Sequence, residues 1–240
     1  MTHLIPYQPF RQQPENFSRL KYYKLCDALA AALMLPPSNV ALIVKAVTEA
    51  VKDSSRLPVL WLSFQDCTGD KGAFFRSGEM ANSGRPQIAD SPILNLFSDL
   101  ISLDYHGRQA LQSNPASILP PYQAMHKRSG ATICILEGSL PLKSNGYGRS
   151  AGGQSSWTKF QQTLLQARAV IALESANGDG NGAAGPSRTT SVRAALPGLK
   201  NLICLPGRPA AIFDVVASLV YLITFDHLPP VDSRQRPYFS

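Results

Sequence analysis

Four short apolar runs recur along the chain: Leu57–Leu62, Thr132–Leu136, Ala169–Leu173 and Leu202–Leu205. A turn rich in Gly, Pro or Ser follows each of them. Each run is too short for a helix and carries β-branched residues, the pattern of strands buried on both faces of a parallel sheet. Between the runs lie stretches of helical character, around Ile93–Leu100, Gly107–Ser113, Trp157–Ala167 and Ala210–Thr224. Ile101–Leu103 reads as one further short strand. Strand alternating with helix predicts an α/β domain whose parallel sheet is covered on both faces.

The first quarter of the chain follows a different rhythm. Residues 1–16 are polar and Pro-containing and read as a loose tail. Residues 17–35 predict a helix, with Ser18 as its N-cap and Lys21 and Lys24 ahead of an Ala/Leu-rich stretch. Pro36-Pro37 ends it. A second, amphipathic helix follows over Ser38–Lys52, and Asp53-Ser54-Ser55-Arg56 reads as a linker.

Composition narrows the class. A chain of 240 residues with 44% hydrophobic residues can bury a core without disulfide staples. Its 17 Gly and 19 Pro imply much loop. No apolar run reaches the roughly 18–20 residues that span a bilayer, so a transmembrane protein is not expected. Cys26, Cys67, Cys134 and Cys204 are widely separated and form no C-x-x-C pair, which argues against a disulfide scaffold and a zinc ribbon. The net charge of +7 is spread along the chain, without a basic block or aromatic–basic interleaving. Nucleic acid is therefore not an expected partner, and the charge reads as a mildly basic face.

In open parallel sheets, ligands sit beyond the carboxyl ends of the strands. Four loops fall there: Ser63–Lys71, Glu137–Gly146, Glu174–Gly185 and Pro206–Pro209. Gly180-x-Gly182-x-x-Gly185 formally matches a dinucleotide fingerprint, but Pro186-Ser187-Arg188 follows where a helix should open, so it reads as a Gly-rich loop. His106 reads as a structural histidine at a strand–helix junction or as a base or ligand. Asp104 and Glu137 lie near strand ends as a possible carboxylate pair, although no nucleophile accompanies them. Glu137 reads rather as a cap or brace for its loop. Arg208, beside Pro209 at the opening of the last helix, suits an anion or an ion pair with Asp66 or Asp70.

Taken in order, these segments resemble the small subunit of nickel–iron hydrogenases. LPVLWLSFQDCTGD, at Leu57–Asp70, resembles that family's stretch ending in C-T-G-C. Ile101–Gly107 (ISLDYHG) resembles S-L-D-Y-H-E. Ala131–Gly148 resembles a V-E-G-S-I-P segment, and Ala167–Gly180 occupies the place of G-S-C-A. The chain from Leu202 to Ser240 is similar to the P-G-C-P-P loop, helix and closing G-R-P segment, here Gln235-Arg236-Pro237. Ser18–Pro37 resembles a twin-arginine export signal in which one arginine, Arg19, stands where two are expected. The resemblance implies a flavodoxin-like doubly wound parallel sheet over 57–240, preceded by an N-terminal helical segment, 1–56, that resembles the degenerate signal.

In that family four cysteines from the loops hold a [4Fe–4S] cluster. Carried over position by position, the first is retained as Cys67, while Asp70, Ala176 and Arg208 occupy the other three. Ala176 offers no ligand atom, and Arg208 is cationic with no lone pair to donate. Cys134 and Cys204 fall within strands, away from the ligand positions. Lys71-Gly72 and Gly107 stand where many relatives carry glutamates, and a second cluster-bearing domain is not expected. The resemblance with these departures implies no bound cluster, no catalysis by the chain alone, and a hydrogenase large subunit, or a protein like it, as partner.

The expected role is therefore a scaffold, chaperone or regulatory partner in hydrogenase assembly, alongside other assembly factors, and the expected location is the cytoplasm, with the periplasm or a membrane reached through a partner as the alternative. The alternative is an electron-transferring small subunit with an atypical cluster on Cys67, Asp70 and ligands from its partner. A gene product without function is a third. The partner would meet the loop edge, where Trp61, Phe64, Phe74 and Phe75 read either as interface or as core.

Overall fold

The computed structural model describes residues 19–52, 56–63, 92–108, 130–138, 140–141, 156–174, 189–206 and 211–238. Helix α1 spans Arg19–Ala32. It buries Cys26, Leu29, Ala30 and, just past its end, Leu33, a stripe spaced three and four residues apart. Its end is a Schellman turn: the N–H of Met34 donates to Ala31 O at 3.0 Å and that of Leu35 to Ala30 O at 2.9 Å. Met34 takes the left-handed position, at φ 52°, where glycine is the usual occupant. Pro36 follows, a 3₁₀ turn covers Pro37–Asn39, and α2 runs Val40–Lys52 with Val40, Ile43 and Val47 buried.

Strand β1 is Leu57–Ser63, helix α3 is Pro92–Leu100 and strand β2 is Ile101–Arg108. Strand β3 covers Ile133–Glu137 and β4 covers Leu140–Pro141. Helix α4 spans Ser156–Leu165, β5 spans Ala169–Glu174 and β6 is Thr189–Thr190. Helix α5 is Val192–Ala195, β7 is Leu202–Pro206 and helix α6 is Ala211–Phe225.

Five strands form one sheet in the order β2-β1-β3-β5-β7, every pair parallel. Counting only these strands along the chain, the order is 2-1-3-4-5, that of a flavodoxin-like doubly wound sheet, with the reversal between β1 and β3. β4 and β6 form a separate antiparallel pair.

Alternation along each strand makes two cores. Val59, Trp61, Ile133, Ile135, Ile171 and Ile203 face one way and share a cluster with α1, α2, α3 and α6. Leu60, Leu62, Cys134, Leu136, Val170 and Cys204 face the other way, with Phe160 and Leu164 of α4 and Val192 of α5. Each fully buried aliphatic side chain contributes about 1.5–3 kcal/mol. On the first face α1 lies against α2 and α3, and α2 and α3 lie against α6.

Two expectations change. β2 runs on to Arg108, so Gly107 and Arg108 belong to the strand and not to a helix. Its pairing with β1 continues to Ser63↔Arg108, and this ladder holds the backbone extended. His106 accordingly lies within the strand, opposite Trp61, and not at a strand–helix junction. The register passes from Val59↔Leu103 to Leu60↔Tyr105, so Asp104 is the extra residue of a bulge.

Candidate functional site

The carboxyl ends of the parallel strands meet at one edge, and register fixes which residues stand there. Ser63 pairs with Arg108 on one side and with Glu137 on the other. Glu137 pairs with Leu173, and Glu174 with Pro206. The rim therefore places two carboxylate-bearing residues, Glu137 and Glu174, on neighbouring strands beside the chain reversal.

Trp61 fixes the reversal itself. Its ring is 1% exposed and meets Phe97 edge-on, with centroids 6.3 Å apart and planes at 87°. Its indole Nε1–H donates to Glu137 Oε2 at 3.2 Å, joining β1 to the end of β3. Trp61 is thus a core residue, and Glu137 braces the rim. Gly138 then turns the chain at φ 93°, a conformation a side chain disfavours, and its N–H donates to Leu173 O at 3.1 Å. The turn delivers Leu140, fully buried, into the pair with Thr190.

A polar cluster closes the other end of the rim. Glu174 Oε1 is buried and has no hydrogen-bond partner among the described residues. Burial, reinforced by the Glu174 carboxylate and a hydrogen bond to it, pushes the Cys204 thiol up to about 12, while Arg193 and Arg236 oppose the shift. Arg193 donates to Ser233 O at 3.2 Å, and the N–H of Cys204 donates to Gln235 O at 2.7 Å. The segment Val231–Pro237, closed by its own bridge, so covers the free edge of β7. Within it the Arg236 N–H holds the Asp232 carboxyl below its ordinary range, helped by the N–H of Arg234.

The three cysteines among the described residues are all buried: Cys26 in α1, Cys134 in β3 and Cys204 in β7. Burial alone pushes the Cys134 thiol up to about 12. A thiol held protonated is a poor metal ligand, since the thiolate is the binding form. Among the described residues no group of three or more His, Cys, Asp or Glu is placed to hold a metal ion.

Cys67, Asp70, Ala176 and Arg208 lie outside the described residues, as do Phe64, Asp66, Phe74, Phe75 and the Gly180–Gly185 motif. What the structure places is their points of departure. Ser63 ends β1 four positions before Cys67, Glu174 ends β5 two before Ala176, and Pro206 ends β7 two before Arg208. The three chain segments leave the same edge of one sheet. The Glu174–Cys204–Arg193–Arg236 cluster was not legible in the sequence, because its members lie on four separate segments: β5, β7, α5 and the closing segment.

No protein-family model matches the chain. Over 228 residues it is 29% identical to the Hydrogenase-2 small chain of Escherichia coli strain K12, which takes in 94% of this chain and 57% of that protein. It is 27% identical over 234 residues to the uptake hydrogenase small subunit of Alcaligenes hydrogenophilus, covering 96% of this chain and 60% of that one. The chain thus spans 57–60% of the length of these curated relatives. A reduced, active nickel–iron–selenium hydrogenase from Desulfomicrobium baculatum shares the fold, with a TM-score of 0.52 and 21% identity over 76% of this chain and 69% of that one.

Proposed function

Because this chain is homologous to hydrogenase small chains, we propose that it is a non-catalytic relative that keeps the partner-facing edge and has given up electron transfer. The observation that carries this reading is the donor set at the loop positions the resemblance assigns to a [4Fe–4S] cluster. A cubane needs four anionic ligands, ordinarily thiolates. Here the positions hold one thiol (Cys67), one carboxylate (Asp70), a methyl group (Ala176) and a guanidinium (Arg208). The set does not fit the cluster. Arg208 adds a fixed positive charge beside a position that would otherwise hold iron.

The remaining thiols do not repair the deficit. Cys134 and Cys204 are buried on the sheet face covered by α4 and α5, and both are held protonated. Ligation would require turning them out of the core and ionising them. The chain therefore acts through its surface. The rim built from Ser63, Glu137, Glu174 and Pro206, with the loops that leave it, would meet a hydrogenase large chain or a protein like it, either holding it during assembly or regulating it. This role needs no export and suits the cytoplasm.

Co-production with a nickel–iron hydrogenase large chain tests the reading. The expected outcome is a complex that contains the large chain before its metal centre is complete. Recovery of the large chain only in mature, hydrogen-oxidising complexes would contradict it and favour an electron-transferring subunit.

A further inference from the structure

The segment that resembles an export signal is built into the core. On α1, Cys26 and Leu29 are 0% exposed, Ala30 2% and Leu33 6%. They belong to one continuous cluster with Ile43 and Val47 of α2, Leu96 and Leu100 of α3, and Val59, Ile135 and Ile171 of the sheet. The opposite side of α1 is wet: Lys24, Asp27, Ala28 and Ala31 are all exposed there. The helix is thus apolar along one stripe, as a helix laid on a protein is. Its 14 residues reach about 21 Å, well short of the roughly 30 Å hydrocarbon core of a bilayer.

Its exit is equally committed. The Schellman turn at Met34–Leu35, the N–H of Asn39 donating to Pro36 O at 2.8 Å, and the 3₁₀ turn at Pro37–Asn39 fold the connection tightly back into α2. No extended stretch separates the helices for a peptidase to grip. Removing α1 would uncover the outward apolar surface of α2 and α3 against which it lies.

We propose that α1 is a resident structural helix of the working protein, and that its capture by the core and its recognition by an export receptor exclude one another. The same leucines and alanines would have to serve both. Once α2 and α3 hold them, the signal-like face is hidden, and the displayed side carries Lys24 and Asp27 beside Ala28 and Ala31. This inference is independent of whether the chain binds a cluster.

Three measurements on the full chain test it. Intact mass spectrometry of the folded protein, recovered from the cells that make it, should find residues 19–36 present; a folded population starting beyond residue 36 would overturn the proposal. Hydrogen exchange should protect the amides of 29–33 as strongly as those of 43–47. Free exchange at 29–33 with protection at 43–47 would overturn it. Leu29→Ala should lower the thermal midpoint by about 5–15 °C, whereas Lys24→Ala on the wet side should change it by less than about 3 °C. Equal, small shifts for both variants would overturn it. If Leu29→Ala does not fold, the exchange measurement on the unaltered chain decides.

Discussion

Cys134 offers a quantitative test of the buried-thiol argument. The group is fully buried in β3, and burial raises its pKa from 9.0 to about 12. In the unfolded chain the thiol titrates near its ordinary value, so the folded state binds the proton more tightly. The stabilising contribution is therefore complete below about pH 9 and is lost as pH rises from there toward 12. With these two values the loss is of order 1 kcal/mol at pH 10 and of order 3 kcal/mol at pH 11. Other groups also titrate in this range, so the readout is a difference. Urea unfolding of the chain and of its Cys134→Ala variant, under reductant, should be followed at about pH 7, 9 and 10. The variant starts from its own baseline but should fall by roughly 1 kcal/mol less between pH 7 and pH 10. Parallel decline of the two proteins would refute the burial argument, and with it the claim that this sulfur is unavailable to a metal.

Other expectations follow from single contacts. Removing the Trp61–Glu137 hydrogen bond by Trp61→Phe and Glu137→Ala, singly and together, should give a coupling energy of about 1–2 kcal/mol in denaturant unfolding; simple additivity would contradict the brace. Gly138→Ala should destabilise by about 1–3 kcal/mol, read as a lower thermal midpoint, because the backbone there holds φ 93°. Met34→Gly should stabilise by about 0.5–1 kcal/mol, since Met34 is 65% exposed, packs little, and occupies a left-handed position.

Local pattern made the sheet legible. The runs at Leu57, Thr132, Ala169 and Leu202 are buried on both faces, so nearly every side chain in them is apolar, and each became a strand of the parallel sheet. The helices at Pro92–Leu100, Ser156–Leu165 and Ala211–Phe225 also stand where periodicity set them. The second half of β2 was not legible, because Asp104, His106 and Gly107 are weak strand formers that the ladder with β1 holds extended. The two-residue pair β4–β6 is too short to leave a periodic signal. Trp61 could be read either way from sequence, and its burial against Phe97 makes it core.

The site divides similarly. The convergence of the strand ends on one edge follows from the parallel sheet, whose strands the apolar runs marked. The polar cluster of Glu174, Cys204, Arg193 and Arg236 depends on how α5 and the closing segment return to β7, a tertiary matter that no local window records. The N-terminal helix was also recognisable, but whether its apolar stripe served a core or a receptor was not; the packing of Cys26, Leu29, Ala30 and Leu33 supplies the answer proposed above.

Iron and acid-labile sulfide, measured on the chain purified without oxygen and without a partner, test the central claim most directly. The account predicts far less than one iron per polypeptide and no absorbance from sulfide-to-iron charge transfer. A stoichiometric centre, roughly four irons and four sulfides per chain, would contradict it.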